Sequence, residues 1–141
     1  MKTQVLYATM TGHSKKIAHA IAERLGSQAY DLKQNPTIPD CDLLFIVSGI
    51  YGGDSKPELI SFVKSLSPTQ VRKVALITSS TRNSAQGSLR QALRDTGIQV
   101  ATEEYLCQGG FLFKAMGHPN KDEIEDAVTF AQNLVKEPVL S

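Results

Sequence analysis

Three short stretches of this sequence hold more hydroxyl, glycine and aromatic groups than a plain connection between elements requires. The first is Thr9-Met10-Thr11-Gly12-His13-Ser14, just ahead of an amphipathic run. Hydroxyl side chains and a glycine in that position gather O–H groups and unpaired main-chain N–H groups at the positive end of a helix dipole. That is the composition of an anion cradle, able to hold a phosphate that no lysine or arginine touches. Capping of the helix by Thr11 or Ser14 is the plainer use of the same residues. The second stretch is Ser48-Gly49-Ile50-Tyr51-Gly52-Gly53-Asp54. Here an aromatic ring can lie against a flat ligand while the two glycines after it let the backbone turn freely. The alternative is a tyrosine at the edge of the core above an ordinary turn. The third, Thr78-Ser79-Ser80-Thr81-Arg82-Asn83-Ser84, is too polar for a core crossover and rich in groups that could bond the amide edge of a ring. Arg82 has a second reading as a solvated surface arginine. A fourth stretch, residues 109–117, is apolar for a connection: packing against the sheet edge is the favoured reading, and shielding a ligand or receiving a partner is the alternative.

The elements that position these stretches follow from hydrophobic periodicity. Continuous or alternating apolar runs at residues 4–8, 43–47 and 73–78 predict strands, with weaker candidates at 28–32 and 99–107. Helical spacing fills the gaps: Ile17, Ile21 and Leu25; then Leu59, Phe62, Val63 and Leu66; then Ile124, Ala127, Val128, Ala131, Leu134 and Val135. A further helix over 87–96 has Leu89, Ala92 and Leu93 on one side and ends at Gly97, where a C-cap is expected. Residues 55–58 and 120–123 read as capping boxes, with Pro57 in a first turn where its missing N–H costs nothing. The order is β-α-β-β-α-β-α-β-α, and residues 35–40 replace a helix between the second and third strands. Apolar strands alternating with amphipathic helices predict a parallel sheet covered on both faces. The expected fold is a doubly wound three-layer α/β sandwich with strand order 2-1-3-4-5. Ligands in such sheets bind at the carboxyl ends of the strands around the switch point between strands 1 and 3, just after Ala8, Val47 and Ile77.

Composition bounds the rest. The chain has 141 residues, 41% apolar and 21% charged, with formal net charge +1. A chain of about this length buries roughly 70% of its unfolded surface and supports one core, so a single domain over residues 1–141 is expected. Near-neutral charge argues against nucleic acid and membrane surfaces. The longest wholly aliphatic or aromatic run, residues 43–47, is far short of the ~20 needed to cross a bilayer. The sequence begins in a strand-like segment rather than a signal peptide, which gives a cytoplasmic expectation. Cys41 and Cys107 are isolated thiols expected to be inert and buried, without C-x-x-C spacing. His19 and His118 have no metal-ligand company, and no metal centre is expected.

The first stretch resembles the T/S-x-T-G-x-T/S phosphate loop of the flavodoxin family, and the likeness runs from Lys2 to about Val135. It implies a short-chain flavodoxin-like fold holding flavin mononucleotide (FMN). The 5′-phosphate would lie in Thr9, Thr11, Gly12, His13 and Ser14 and the backbone of Met10. His13 departs from the family pattern, which usually has Asn there; it is otherwise read as solvent-facing with no role. The resemblance implies that Ser48, Gly49 and Ile50 lead into the flavin site and that Tyr51 stacks on the ring. It also implies that the Gly52–Gly53 peptide turns toward the central-ring nitrogen once an electron arrives. Thr78, Ser79, Ser80, Thr81 and Arg82 would hold the pyrimidine end. No aromatic residue lies between Thr78 and Gly97, so the usual second stacking ring is missing.

Other families of this architecture fail at the same loops. Receivers of response regulators need an acidic pair after strand 1; low-molecular-weight tyrosine phosphatases and phosphotransferase subunits need a cysteine in the first loop. Neither G-x-G-x-x-G nor a nucleophile elbow is present. The expectation is an FMN-binding electron carrier, a monomer, shuttling electrons between a reductase and an acceptor protein with no residue doing covalent chemistry. The alternative is a small FMN-dependent NAD(P)H quinone or azo reductase, although the chain lacks the extra segment that such enzymes generally carry.

Overall fold

A computed structural model describes residues 2–8, 13–49, 57–79, 87–100, 105–107 and 121–136. The elements in chain order are β1 (Thr3–Ala8), α1 (His13–Leu25), β2 (Ala29–Asp31), a 3-10 turn (Leu32–Gln34), β3 (Cys41–Gly49), α2 (Pro57–Lys64), β4 (Val71–Ser79), α3 (Gly87–Thr96), β5 (Gln99–Val100), β6 (Tyr105–Cys107) and α4 (Lys121–Lys136). All strand pairs are parallel, in the order β2-β1-β3-β4-β5. The fold is the doubly wound sandwich that the periodicity predicts.

Apolar residues alternate between two cores because successive strand side chains point to opposite faces. Val5 and Tyr7, Leu43, Phe45 and Val47, and Ala75 and Ile77 face α1 and α4, where Ile17, Ile21, Ala127 and Ala131 close the cluster. Leu6 and Ala8, Leu44 and Ile46, and Val74 and Leu76 face α2 and α3, against Leu59, Val63, Leu89 and Leu93. Both faces are thus covered, which is why these strands read as unbroken apolar runs rather than as alternating ones.

Details at the sheet's edges differ from the sequence reading. The predicted fifth strand is two segments, β5 and β6, both pairing with β4; residues 101–104 between them lie outside the described residues. The second strand stops at Asp31, not Leu32, because the Asp31 carboxylate accepts from the Lys33 amide at 2.9 Å and caps a 3-10 turn. Asn35 then takes the left-handed conformation at φ 46° that ends that turn. Residues 35–40 carry the chain to β3 without a helix, as expected. Ile38 is buried and its carbonyl accepts from the Gln70 side-chain amide at 2.7 Å. Leu66 lies just past the end of α2 and is buried all the same. Gly97 forms the predicted C-cap of α3: at φ 84° it lets its own amide reach the Arg94 carbonyl and the Ile98 amide reach the Leu93 carbonyl, at 3.0 and 3.1 Å.

Candidate functional site

Register decides where the predicted loops begin. Ala8 pairs with Ser48, Ser48 with Thr78, and Thr78 with Leu106; one step on, Gly49 pairs with Ser79 and Ser79 with Cys107. Neighbouring strands lie about 4.8 Å apart, so the strand ends that launch the first three stretches stand side by side across roughly 10 Å. Only residues 9–12 separate Ala8 from His13, the first residue of α1. A chain that short spans ~17 Å at most, which holds the amino end of α1 at the same edge of the sheet. The switch point between β1 and β3 is therefore flanked by the start of a helix and by the carboxyl ends of β3 and β4.

Side chains at this edge are small. Ala8 is 2% and Ser48 1% exposed, and both lie on the sheet face that meets α2 and α3. Ser48 is the one buried polar side chain among the described residues and is engaged in a bonded contact. On the opposite face Tyr7 is buried, with its ring centroid 5.5 Å from that of the exposed His19 on α1 and tilted by 53°. Burial lifts the Tyr7 phenol above its ordinary range, and the Asp31 carboxylate of the paired strand adds to the effect. The phenol therefore stays neutral. The first turn of α1 holds no acidic residue, so no carboxylate there opposes an anion at the helix's positive end.

Of the sequence-predicted site residues, Ser48 is fully described. The backbones of Gly49, Thr78 and Ser79 end their strands at this edge, and those of His13 and Ser14 open α1. Thr9, Met10, Thr11, Gly12, Ile50, Tyr51, Gly52, Gly53, Ser80, Thr81 and Arg82 lie outside the described residues, as does the 109–117 stretch. Cys41 is buried as expected and lies at the opposite edge, at the start of β3. Burial, with Asp42 and Asp40 beside it, pushes its thiol up to about 11, so it is inert near neutrality. Among the described residues no group of His, Cys, Asp and Glu could hold a metal, and no helix is long and apolar enough to cross a membrane. A cavity of about 730 Å³ lies between the 3-10 turn and α2 beside Leu32, Lys33 and Phe62, and among the described residues its lining includes no predicted site residue.

Lys15 and Lys16 are exposed in the opening turn of α1, and the first acidic residue of the chain is Glu23.

Comparison with known proteins bears on the family and the fold. A family model described as a flavodoxin domain matches residues 4–124. An uncharacterized protein of Methanocaldococcus jannaschii is 29% identical over 150 aligned positions, covering 96% of this chain and 99% of the relative. Among solved structures, oxidised flavodoxin 2 from Bacillus cereus is 17% identical with a TM-score of 0.70, over 96% of this chain and 99% of that one. A short-chain flavodoxin associated with a non-canonical PDU bacterial microcompartment is 20% identical with a TM-score of 0.64, over 96% and 98% of the two chains.

Proposed function

The chain belongs to the flavodoxin family of flavin-binding electron-transfer proteins, and from that premise we propose that it binds FMN and carries electrons between a reductase and an acceptor protein. The observation that carries this reading is the alignment of Ala8, Ser48 and Thr78 in one row beside the amino end of α1. One further feature supports FMN in this reading. The first turn of α1 has no acid to repel a phosphate.

In this reading Thr9, Thr11, His13 and Ser14, with the amides of Met10 and Gly12, receive the phosphate at the positive end of α1. Ser48, Gly49 and Ile50 bring the chain to the ring, and Tyr51 covers one face of it. Gly52 and Gly53 give the adjoining peptide freedom to reorient. Thr78, Ser79, Ser80, Thr81 and Arg82 hold the pyrimidine end. Bound FMN supplies one- and two-electron chemistry, and the protein supplies binding, ring environment and a docking surface. Partners are proteins, and the carrier works as a monomer in the cytoplasm.

Purified protein should be yellow, with a flavin absorption spectrum. NAD(P)H oxidation should be slow without a partner and become fast when a flavodoxin reductase is added. Fast oxidation by the protein alone would make it a reductase, and failure to bind FMN would remove the reading altogether.

A further inference from the structure

We propose that the groove between the 3-10 turn and α2 docks an amphipathic helix of a partner protein, one whose apolar stripe has an acidic residue on one flank and a basic residue on the other. The proposal does not depend on flavin binding.

The groove exists because one crossover lacks a helix. The connections that contain α1, α2 and α3 each lay a helix on a face of the sheet, whereas residues 35–40 carry the chain from β2 to β3 without one. α2 therefore packs beside α3 on one side, and among the described residues no helix lies along its other side. A cavity of about 730 Å³ occupies that place, within the ~300–1,000 Å³ of sites that bury a ligand. One wall is a single face of α2: Glu58, Ser61 and Phe62 recur at helical spacing, and Ser65 follows one turn on. The opposite wall is Leu32 and Lys33 of the 3-10 turn.

The form of the walls favours a helix. Neither wall is the edge of a strand, so an extended peptide would find no main-chain ladder to join, while a helix satisfies its own backbone. A face of three- and four-residue spacing, about 10 Å long, suits the ridges of a second helix. Half-buried Phe62 and buried Leu32 supply the apolar contact. The Ser65 hydroxyl donates to the Phe62 carbonyl at 2.6 Å and Ser61 is small, so neither blocks a close approach. Charge sets the flanks. Lys33 and Glu58 are exposed, stand on opposite walls, and enter no ion pair among the described residues. A helix between them meets Lys33 with a carboxylate and Glu58 with an ammonium or guanidinium group. The groove begins where β2 ends and α2 starts, so a docked partner stands at the same edge of the sheet as Ala8, Ser48 and Thr78.

The test is a heteronuclear NMR titration of the purified protein with a designed helical peptide of about 18 residues. The peptide carries leucines at i, i+3, i+4 and i+7, glutamates along one flank of that stripe and lysines along the other. A scrambled peptide of the same composition lacks the stripe. The expected result is shifts confined to the 3-10 turn and the groove face of α2, with a dissociation constant below ~1 mM, and none with the scrambled peptide. Lys33→Glu and Glu58→Lys should each weaken binding about two- to fivefold, and a peptide with lysines on both flanks should prefer Lys33→Glu to the unaltered chain. Ser61→Arg, which fills the groove from an exposed position, should weaken binding about tenfold or more. Lys64→Glu, exposed on α2 but outside the groove lining, makes the same change of charge as Lys33→Glu and should leave binding unaltered. Absence of shifts in the groove, equal binding of the scrambled peptide, or equal losses in Lys33→Glu and Lys64→Glu would each overturn the proposal. Concentration-dependent shifts of the same residues without peptide would overturn it too, by assigning the groove to a second copy of the chain.

Discussion

Ile17 and Ile21 offer a paired test of how α1 serves the site. Both are fully buried, one turn apart on the same face, within the cluster that contains Val5 and Tyr7. Ile→Ala removes three carbons, a transfer loss of about 2.4 kcal/mol at ~0.8 kcal/mol each. Any cavity that Val5, Tyr7 and their neighbours do not close adds to this, so about 2–5 kcal/mol is expected for either substitution. Ile17 is four residues from the first residue of the helix and Ile21 is eight. Loosening the turn nearest the loop should therefore weaken FMN binding more in Ile17→Ala than in Ile21→Ala, although the two lose similar stability. Urea unfolding of the flavin-free proteins gives the stabilities, and fluorescence titration with FMN gives the affinities. A stability loss under about 1 kcal/mol would refute the packing argument. Equal FMN affinities in two comparably destabilised variants would refute the claim that the packing of α1 positions the site.

Other expectations bear on the loops and on the buried thiol. Thr11→Val, which removes a donor to a charged phosphate, should weaken FMN binding by about 1.5–3 kcal/mol; Gly12→Ala, which adds a Cβ where backbone must approach the ligand, should also weaken it, and calorimetry with both variants would detect either failure. Tyr51→Ala should cost about 1–2 kcal/mol of flavin affinity, with the loss persisting for riboflavin because stacking does not involve the phosphate. The near-neutral net charge of +1 predicts a less negative potential for the second electron than acidic flavodoxins show, and a spectroscopic redox titration at or below theirs would contradict it. Cys41, pushed up to about 11 from an ordinary value of 9.0, should resist alkylation near pH 8 until the chain is unfolded. Its unfolded thiol ionises first, so the folded state should lose stability as pH rises between about 9 and 11, which urea melts of Cys41 and Cys41→Ala proteins would resolve.

The parts of the fold legible in the sequence are those where one physical constraint acts alone. Residues 43–47 and 74–77 are buried on both faces, and nothing but a central parallel strand needs such a run; Gly97 ends its helix because few other residues adopt a positive φ cheaply. Edges are less legible because local and tertiary terms compete there. Asp31 could have extended β2 but instead caps the 3-10 turn, and β5 and β6 share one sheet position that the sequence presents as a single candidate strand. At the candidate site, residue types alone nominate the stretches, and register brings the strand ends Ala8, Ser48 and Thr78 together as the fold class requires.

The central claim is that the turn from Thr9 to Ser14 seats the phosphate of FMN at the amino end of α1. A crystal structure of the FMN-loaded protein tests it most directly. The account predicts phosphate oxygens within hydrogen-bonding distance of main-chain amides between Met10 and Ser14, with the ring between the loops that follow β3 and β4. A phosphate anywhere else, or crystals that take up no flavin, would contradict it.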